Sequence, residues 1–370
     1  KFAALLSNAT RSVSREIKNG FVSVPKGCYI QLEKKAAKYI LDNIRASYGN
    51  TAGLVSRATS FDEDSGLKLT LANFLDYYHL DPRAIYKFSS FSRICARADA
   101  LEDFSEPLES ILTKAFAKLA VVDSRRWISF LLDILPRLDD VDFAAVSDVE
   151  KRMMQMFYIT VWGKTAENWN SEEVLDNLHA LSDSTVLLNE LTELLRYRFE
   201  QIDFIDESVD LGFDCPLDLH CTYTRDQLLA AMDFMKPATV REGVKWLPDK
   251  QLDVFFVTLN KADKDYSPTT MYNDYSISES LFHWQSQSTT AENSPTGQRY
   301  IHHRERGSKV LLFVREFKSD RMTGGAEAYT YLGTASYVKH EGSRPMNITW
   351  KLDRPIPAKF LKKTNKLAVG

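Results

Sequence analysis

A chain of 370 residues, 44% hydrophobic and 12% aromatic, carries enough apolar material for globular cores and is long enough for two domains, which excludes a disordered chain. No apolar run approaches the roughly 18 residues that a bilayer span needs, so no membrane partner is expected. The formal charge of −3 conceals an asymmetry: residues 221–370 hold 22 Lys+Arg against 16 Asp+Glu, net +6, and residues 1–220 hold 25 against 34, net −9.

A basic module is therefore joined to an acidic one. The basic excess is what a polyanion binder shows, although the tail KFLKKTNK supplies much of it and a solvated tail accounts for it equally well. Cys28, Cys95, Cys215 and Cys221 form no CxxC pair, so neither a disulfide framework nor a zinc cluster is indicated and a reducing cytoplasm fits.

The first stretch, KFAALLSNATRSVSREIKNG, has neither a start methionine nor a signal-peptide pattern and reads as a cut inside a longer protein. From Tyr29 to about Phe199 the apolar residues recur at helical spacing. In LESILTKAFAKLA, Leu108, Leu112, Ala115 and Leu119 form one stripe, with Ser105 as N-cap and Pro107 in the first turn. RRWISFLLDIL and VLLNELTELLRYRF repeat the pattern, and the polar or proline-bearing joints between such stripes predict an all-α bundle. LTLANFLDYYHLDPRAIYK has the outline of a helix-turn-helix, but with few base-reading side chains in an acidic module it reads as an ordinary helical corner. His79 and His179 are read as packed histidines.

After FDCPLDLH the texture changes. LDVFFVTL, KVLLFVREF, AYTYLGTASYV and MNITWKL are strand-like runs separated by turn-rich pieces, which predicts a small barrel or a curved mixed sheet. The fold class is thus α+β in two domains, an N-terminal all-α helical bundle over 29–212 and a C-terminal β-barrel over 213–370. Thr224 to Phe234 is expected to be a short helix at the mouth of that barrel.

His283, His302, His303 and His340 lie in the basic module with Asp274, but no HExxH, GxSxG or GxxxxGK[ST] spacing organises them. No catalytic residue, metal or cofactor is expected in this chain. The stretch YNDYSISESLFHWQSQSTT suits binding better. Tyr272, Tyr275 and Trp284 supply flat faces, Asp274 an acceptor, and His283, Gln285 and Ser286 further polar groups, together a pocket for one flat polar ring. Phe282 and Trp284, two apart on a strand, are equally compatible with plain core. Arg241, Lys261, Arg299 and Arg304 are candidates for phosphate contacts, and each is also compatible with an ordinary surface charge.

The stretches KGCYIQLEKKAAKYILDNIR, REGVKWL, TLNKADKDYSPTTMYNDYSISESLFHWQSQSTT, SPTGQRYI, KVLLFVREF and SRPMNITWKL together resemble the C-terminal region of bacterial phospholipase-D-nuclease/DEAD-helicase fusion proteins, the family of Type IV modified-cytosine restriction enzymes. The resemblance runs from about Gly27 to Lys363. It implies a linker from a preceding helicase over 1–28, a helical coupling domain over 29–212 and an SRA/PUA-like barrel over 213–370. It further implies double-stranded DNA containing 5-methylcytosine or 5-hydroxymethylcytosine as partner, with the modified base flipped into an aromatic pocket. Asp274 would then accept from the cytosine 4-amino group. ATP hydrolysis and cleavage would belong to the helicase and nuclease modules of the parent chain. The alternative is a protein-interaction module of such a helicase-nuclease, without base specificity.

Overall fold

The computed structural model describes residues 50–260, 274–358, 360 and 361. The expected linker over 1–28, Lys261, Tyr272 and the tail lysines lie outside the described residues. The helices run α1 Thr51–Ser65, α2 Leu71–Tyr78, α3 Arg83–Tyr86, α4 Phe91–Arg97, α5 Glu109–Leu119, α6 Arg125–Ile134, α7 Asp148–Trp162, α8 Glu172–Asp183, α9 Thr185–Glu200, α10 Arg225–Ala231 and α11 Pro295–Ile301. The described residues fall into two compact units, one built from residues up to 120 together with 183–197, the other from 121–182 and from 198 onward.

In the first unit, short helices start at side-chain caps placed where the apolar stripes begin. Asn50, Thr70 and Ser90 each accept a backbone N–H of α1, α2 and α4 respectively. α5 departs from the expected start. It begins at Glu109, beyond Ser105 and Pro107, with no side-chain cap, and buries Leu112, Ala115, Phe116 and Leu119. The unit is stitched by carboxylates that act far along the chain. Glu190 on α9 accepts the N–H groups of Phe91 and Ser92 at 2.6 and 2.8 Å, and Glu106 accepts those of Val186 and Leu187 at 2.7 and 3.0 Å. Each satisfies donors that a helix start leaves open. Burial pushes the Glu190 carboxyl up against the pull of these bonds.

α3 is a single turn of four residues, and Arg83 on it is tied to Asp81 at 2.6 Å. It is too short to lie along a groove, which agrees with the helical corner. The two histidines differ from expectation. His79 ends α2 in the left-handed region at φ 52 and is exposed, and His179 is exposed with Asp139 3.9 Å away.

In the second unit, eight strands among the described residues form one sheet: β1 Thr222–Tyr223, β2 Val244–Leu247, β3 Leu252–Asn260, β4 Tyr275–Ser276, β5 Leu281–Gln285, β6 Lys309–Phe317, β7 Tyr329–Glu341 and β8 Asn347–Leu352. The order is β2-β3-β6-β7-β8-β5-β4, with β1 on β7; β3 and β6 are parallel and the other pairs antiparallel. The expected closed barrel is therefore corrected to an open mixed sheet. Its edges explain why. β2 stops after four residues at Pro248, and β4 pairs over two residues only. The inner face is covered instead by α11, whose Tyr300 packs unexposed among Phe255, Trp284 and Trp350.

α6 and α7 belong to this unit. Asp123 accepts the N–H of Thr222 at 2.6 Å, Ser124 and Arg126 hold Asp218 at 2.7 Å each, and on α7 Thr160 accepts from Gln227 of α10 at 2.9 Å. Among the described residues no helix is long and apolar enough to cross a membrane.

Candidate nucleic-acid interface

The β5 sequence Leu-Phe-His-Trp-Gln alternates, and a strand sends alternate side chains to opposite faces. Phe282 and Trp284 turn inward at 0% and 4% exposure. The Trp284 ring stacks on Phe255 at 4.1 Å and 15° and meets the Tyr300 ring nearly at right angles at 5.6 Å. Ser286 is sealed too. Its hydroxyl accepts from the Met346 N–H at 2.9 Å and donates to the Gln287 carbonyl at 3.2 Å, lacing the end of β5 to β8. Of the seven base-binding candidates, then, Trp284 and Ser286 lie in the packed interior, and Tyr272 lies outside the described residues.

Of the other four, Tyr275, His283 and Gln285 share the outer face, and Asp274 is buried beside them. Tyr275 sits opposite His283 in the β4–β5 ladder, and their rings are nearly parallel, 13° apart with centroids 4.8 Å from each other. Asp274 is 8% exposed, and its Oδ1 accepts the backbone N–H of Gln285 at 2.9 Å. The Gln285 amide donates to Asn347 Oδ1 at 3.1 Å. The same row continues into β8 and β7, where Thr349 stands opposite His283 and Lys339 opposite Thr349. Asn347 and Thr349 escaped the reading of the sequence. The signal was there in MNITWKL, whose Asn, Thr and Lys alternate with the inward Ile348 and Trp350.

The four phosphate candidates part in the same way. Arg241 and Arg304 are exposed, and Lys261 lies outside the described residues. Arg299 is built in: it grips Asp253, itself 0% exposed, through bonds of 2.8 and 2.9 Å, and its guanidinium lies 4.3 Å over the Trp246 ring. Burial pushes the Asp253 carboxyl up and Arg299 opposes that rise. The pair fastens α11 beneath the sheet.

The histidines are dispersed. His302 meets Glu305, and His340 meets the Tyr337 hydroxyl at 2.6 Å. His303 is buried, its Nδ1 3.1 Å from the Ser308 carbonyl and its Nε2 3.1 Å from the Tyr337 N–H. Nε2 must accept, so the proton is on Nδ1 and the ring is neutral. Desolvation pushes the imidazole below its ordinary 6.5, and Arg304 adds to this while Asp353 opposes it. A folded-state value below the unfolded one means that the unfolded chain takes up the proton first. This contribution to stability is complete above pH 6.5 and is lost as pH falls below it. Thermal melts at pH 7.5 and 5.0 are expected to show acid destabilisation that His303→Gln reduces; His220, shifted the same way by burial, leaves a residue of it. Equal pH dependence in the two proteins would exclude His303 as a source.

Among the described residues one cluster has metal-ligand composition. Asp206, Asp218 and Cys221 place donor atoms within 4.8 Å of one another. Asp218 is already held by Ser124 and Arg126, and the Cys221 thiol points to the Asp123 carbonyl at 3.6 Å. Burial pushes that thiol far up, away from the thiolate that a metal requires. A groove of about 590 Å³ lies between the end of α7 and residues 235–239, lined in part by Tyr158, Lys164, Asn168 and Lys236; no residue of the β4–β5 hairpin lines it.

Residues 217–363 match the model of a family described as a domain of unknown function, DUF3427, and the matched segment takes in all eight strands. No curated protein matches the chain.

Proposed function

We propose that the sheet module reads a modified cytosine in DNA, and that the chain is the DNA-recognition part of an ATP-dependent Type IV restriction enzyme whose motor and nuclease lie elsewhere in the parent. The observation that supports this most is the parallel Tyr275–His283 pair beside an Asp274 carboxylate fixed on the Gln285 N–H. A flat π surface next to an oriented acceptor and an amide pair has the chemistry to stack a base and read its edge.

The energies are compatible. Extruding a base costs a few kcal/mol, and stacking on aromatic side chains returns about 1–3 kcal/mol per base. A buried methyl adds about 0.8 kcal/mol, and discrimination for it ends near 1–3 kcal/mol, so selectivity of about ten- to two-hundredfold is expected rather than absolute choice. Tyr275 and His283 carry the stacking, Asp274 accepts from the 4-amino group, and Gln285 completes the edge.

Gel shifts on matched duplexes with and without 5-methylcytosine test the reading. Asp274→Asn keeps an oxygen for the Gln285 N–H but presents an amide where a carboxylate stood. It is expected to weaken binding of the methylated duplex by about 1–3 kcal/mol. Binding of unmodified duplex should stay level or rise, because a buried negative charge beside the proposed DNA-facing row has gone. If wild type shifts both duplexes alike, base reading is lost; if it shifts neither, a protein-interaction role in the parent takes its place.

A further inference from the structure

Lys339 owes its position to an irregularity in β7. Tyr337 stands opposite Trp350 on the inner face, and simple alternation would send Lys339 inward as well. The ladder instead shifts register between Tyr337 and Lys339, the extra residue being Val338. Bulges of this kind re-aim side chains. Lys339 thereby comes to lie opposite Thr349, in the row that ends at His283 and Tyr275. Lys351, two residues along β8 from Thr349, is on the same face, opposite Leu281. Adjacent strands are about 4.8 Å apart, so this row spans about 14 Å from Tyr275 to Lys339.

Both lysines are exposed. Lys339 meets Glu341 at 3.6 Å, with side chains 66% and 79% exposed. An ion pair so exposed is weak, screened by salt and readily exchanged for a phosphate.

We propose that Lys339 and Lys351 hold the phosphodiester backbone of the DNA whose base lies at Tyr275 and His283, so that the strand crosses the outer face over β8 and β7. The occupant follows from charge complementarity next to a π surface. This inference rests on the base-reading face proposed above and names its phosphate contacts, which differ from Arg241, Arg299 and Arg304. Glu341 is the opposing charge: it competes with phosphate for Lys339.

The test uses the full chain with methylated and unmodified duplexes across a salt series. Lys339→Ala/Lys351→Ala is expected to weaken both duplexes by the same factor and leave their ratio unchanged. Two fewer neutralised phosphates, at about 0.9 each in the slope of log affinity against log salt, shrink the loss of affinity between 50 and 200 mM by about twelvefold. Glu341→Gln should move the other way and tighten both duplexes. Unchanged affinity and slope in a double variant that melts like wild type would overturn the proposal, and so would a wild type that binds no DNA. A wild type that binds both duplexes equally removes the base reading alone, and the salt slopes still decide the role of the lysines.

Discussion

Gly297→Ala is expected to be among the most damaging single substitutions in the sheet unit, costing about 3–5 kcal/mol. A Cβ at this position would stand 2.1 Å from the Ala291 carbonyl oxygen and 2.8 Å from that of Glu292. Both are backbone atoms of the turn that leads into α11, so no rotamer change relieves the overlap. The helix must tilt or its start must unwind. Either movement draws on the anchors that α11 carries, the unexposed Tyr300 in the core and the bidentate Arg299–Asp253 pair. Overpacking alone costs about 1–3 kcal/mol, and loosening a large buried aromatic adds a comparable amount. Gly163→Ala supplies the contrast. That residue ends α7 at φ 71 with nothing within 4 Å of an added Cβ, so only the left-handed backbone opposes alanine, at about 1–2 kcal/mol. Urea or thermal unfolding of the two variants separates the effects. Equal losses would mean that α11 does not approach Ala291 as closely as described.

This glycine also marks where reading the sequence runs out. Its string, SPTGQRY, shows a serine cap and a proline in the first turn, which place a helix start at Ser294 and Pro295. Nothing in the string shows that a carbonyl six residues back will press on the third helical position. The long helical stripes and the strands over 252–260, 309–317, 329–341 and 347–352 were legible because periodicity and β-branched content are local properties. Closure was not. Whether the end strands meet depends on their lengths and on what covers the inner face, and here α11 does the covering. Long-range partners were equally hidden: Glu190 is 99 residues from the Phe91 amide it accepts, and Asp253 is 46 residues from Arg299. In the candidate site the alternation of LFHWQ was visible, but the side that would be buried was not. Trp284 and His283 exchange their meaning according to which face the sheet folds over. The bulge at Val338 turns Lys339 outward for the same reason, since one extra residue inverts the alternation and no propensity announces it.

Trp284→Ala and Tyr275→Ala, compared side by side, are expected to separate these two faces. Trp284 is 4% exposed, stacked on Phe255, with Tyr300 and Trp350 against its edges. Truncating it leaves a cavity among large rings and should cost about 3–5 kcal/mol of stability. Any loss of DNA binding should then follow from unfolding. Tyr275 is half-buried on the two-residue edge strand β4, so its removal should hardly change the melting temperature. Its effect belongs to the ligand: methylated duplex should bind about 1–3 kcal/mol more weakly, the amount one aromatic platform contributes to a stacked base. Trp284→Phe decides the matter where Trp284→Ala is too unstable to assay. Phenylalanine keeps a ring against Phe255 and leaves the outer face untouched, so that variant should melt below wild type yet keep its preference for methylated DNA. A folded Trp284→Phe that loses the preference while Tyr275→Ala keeps it would move the base-binding surface to the inner side of the sheet. The outer row from Tyr275 to Lys339 would then be an ordinary solvated face.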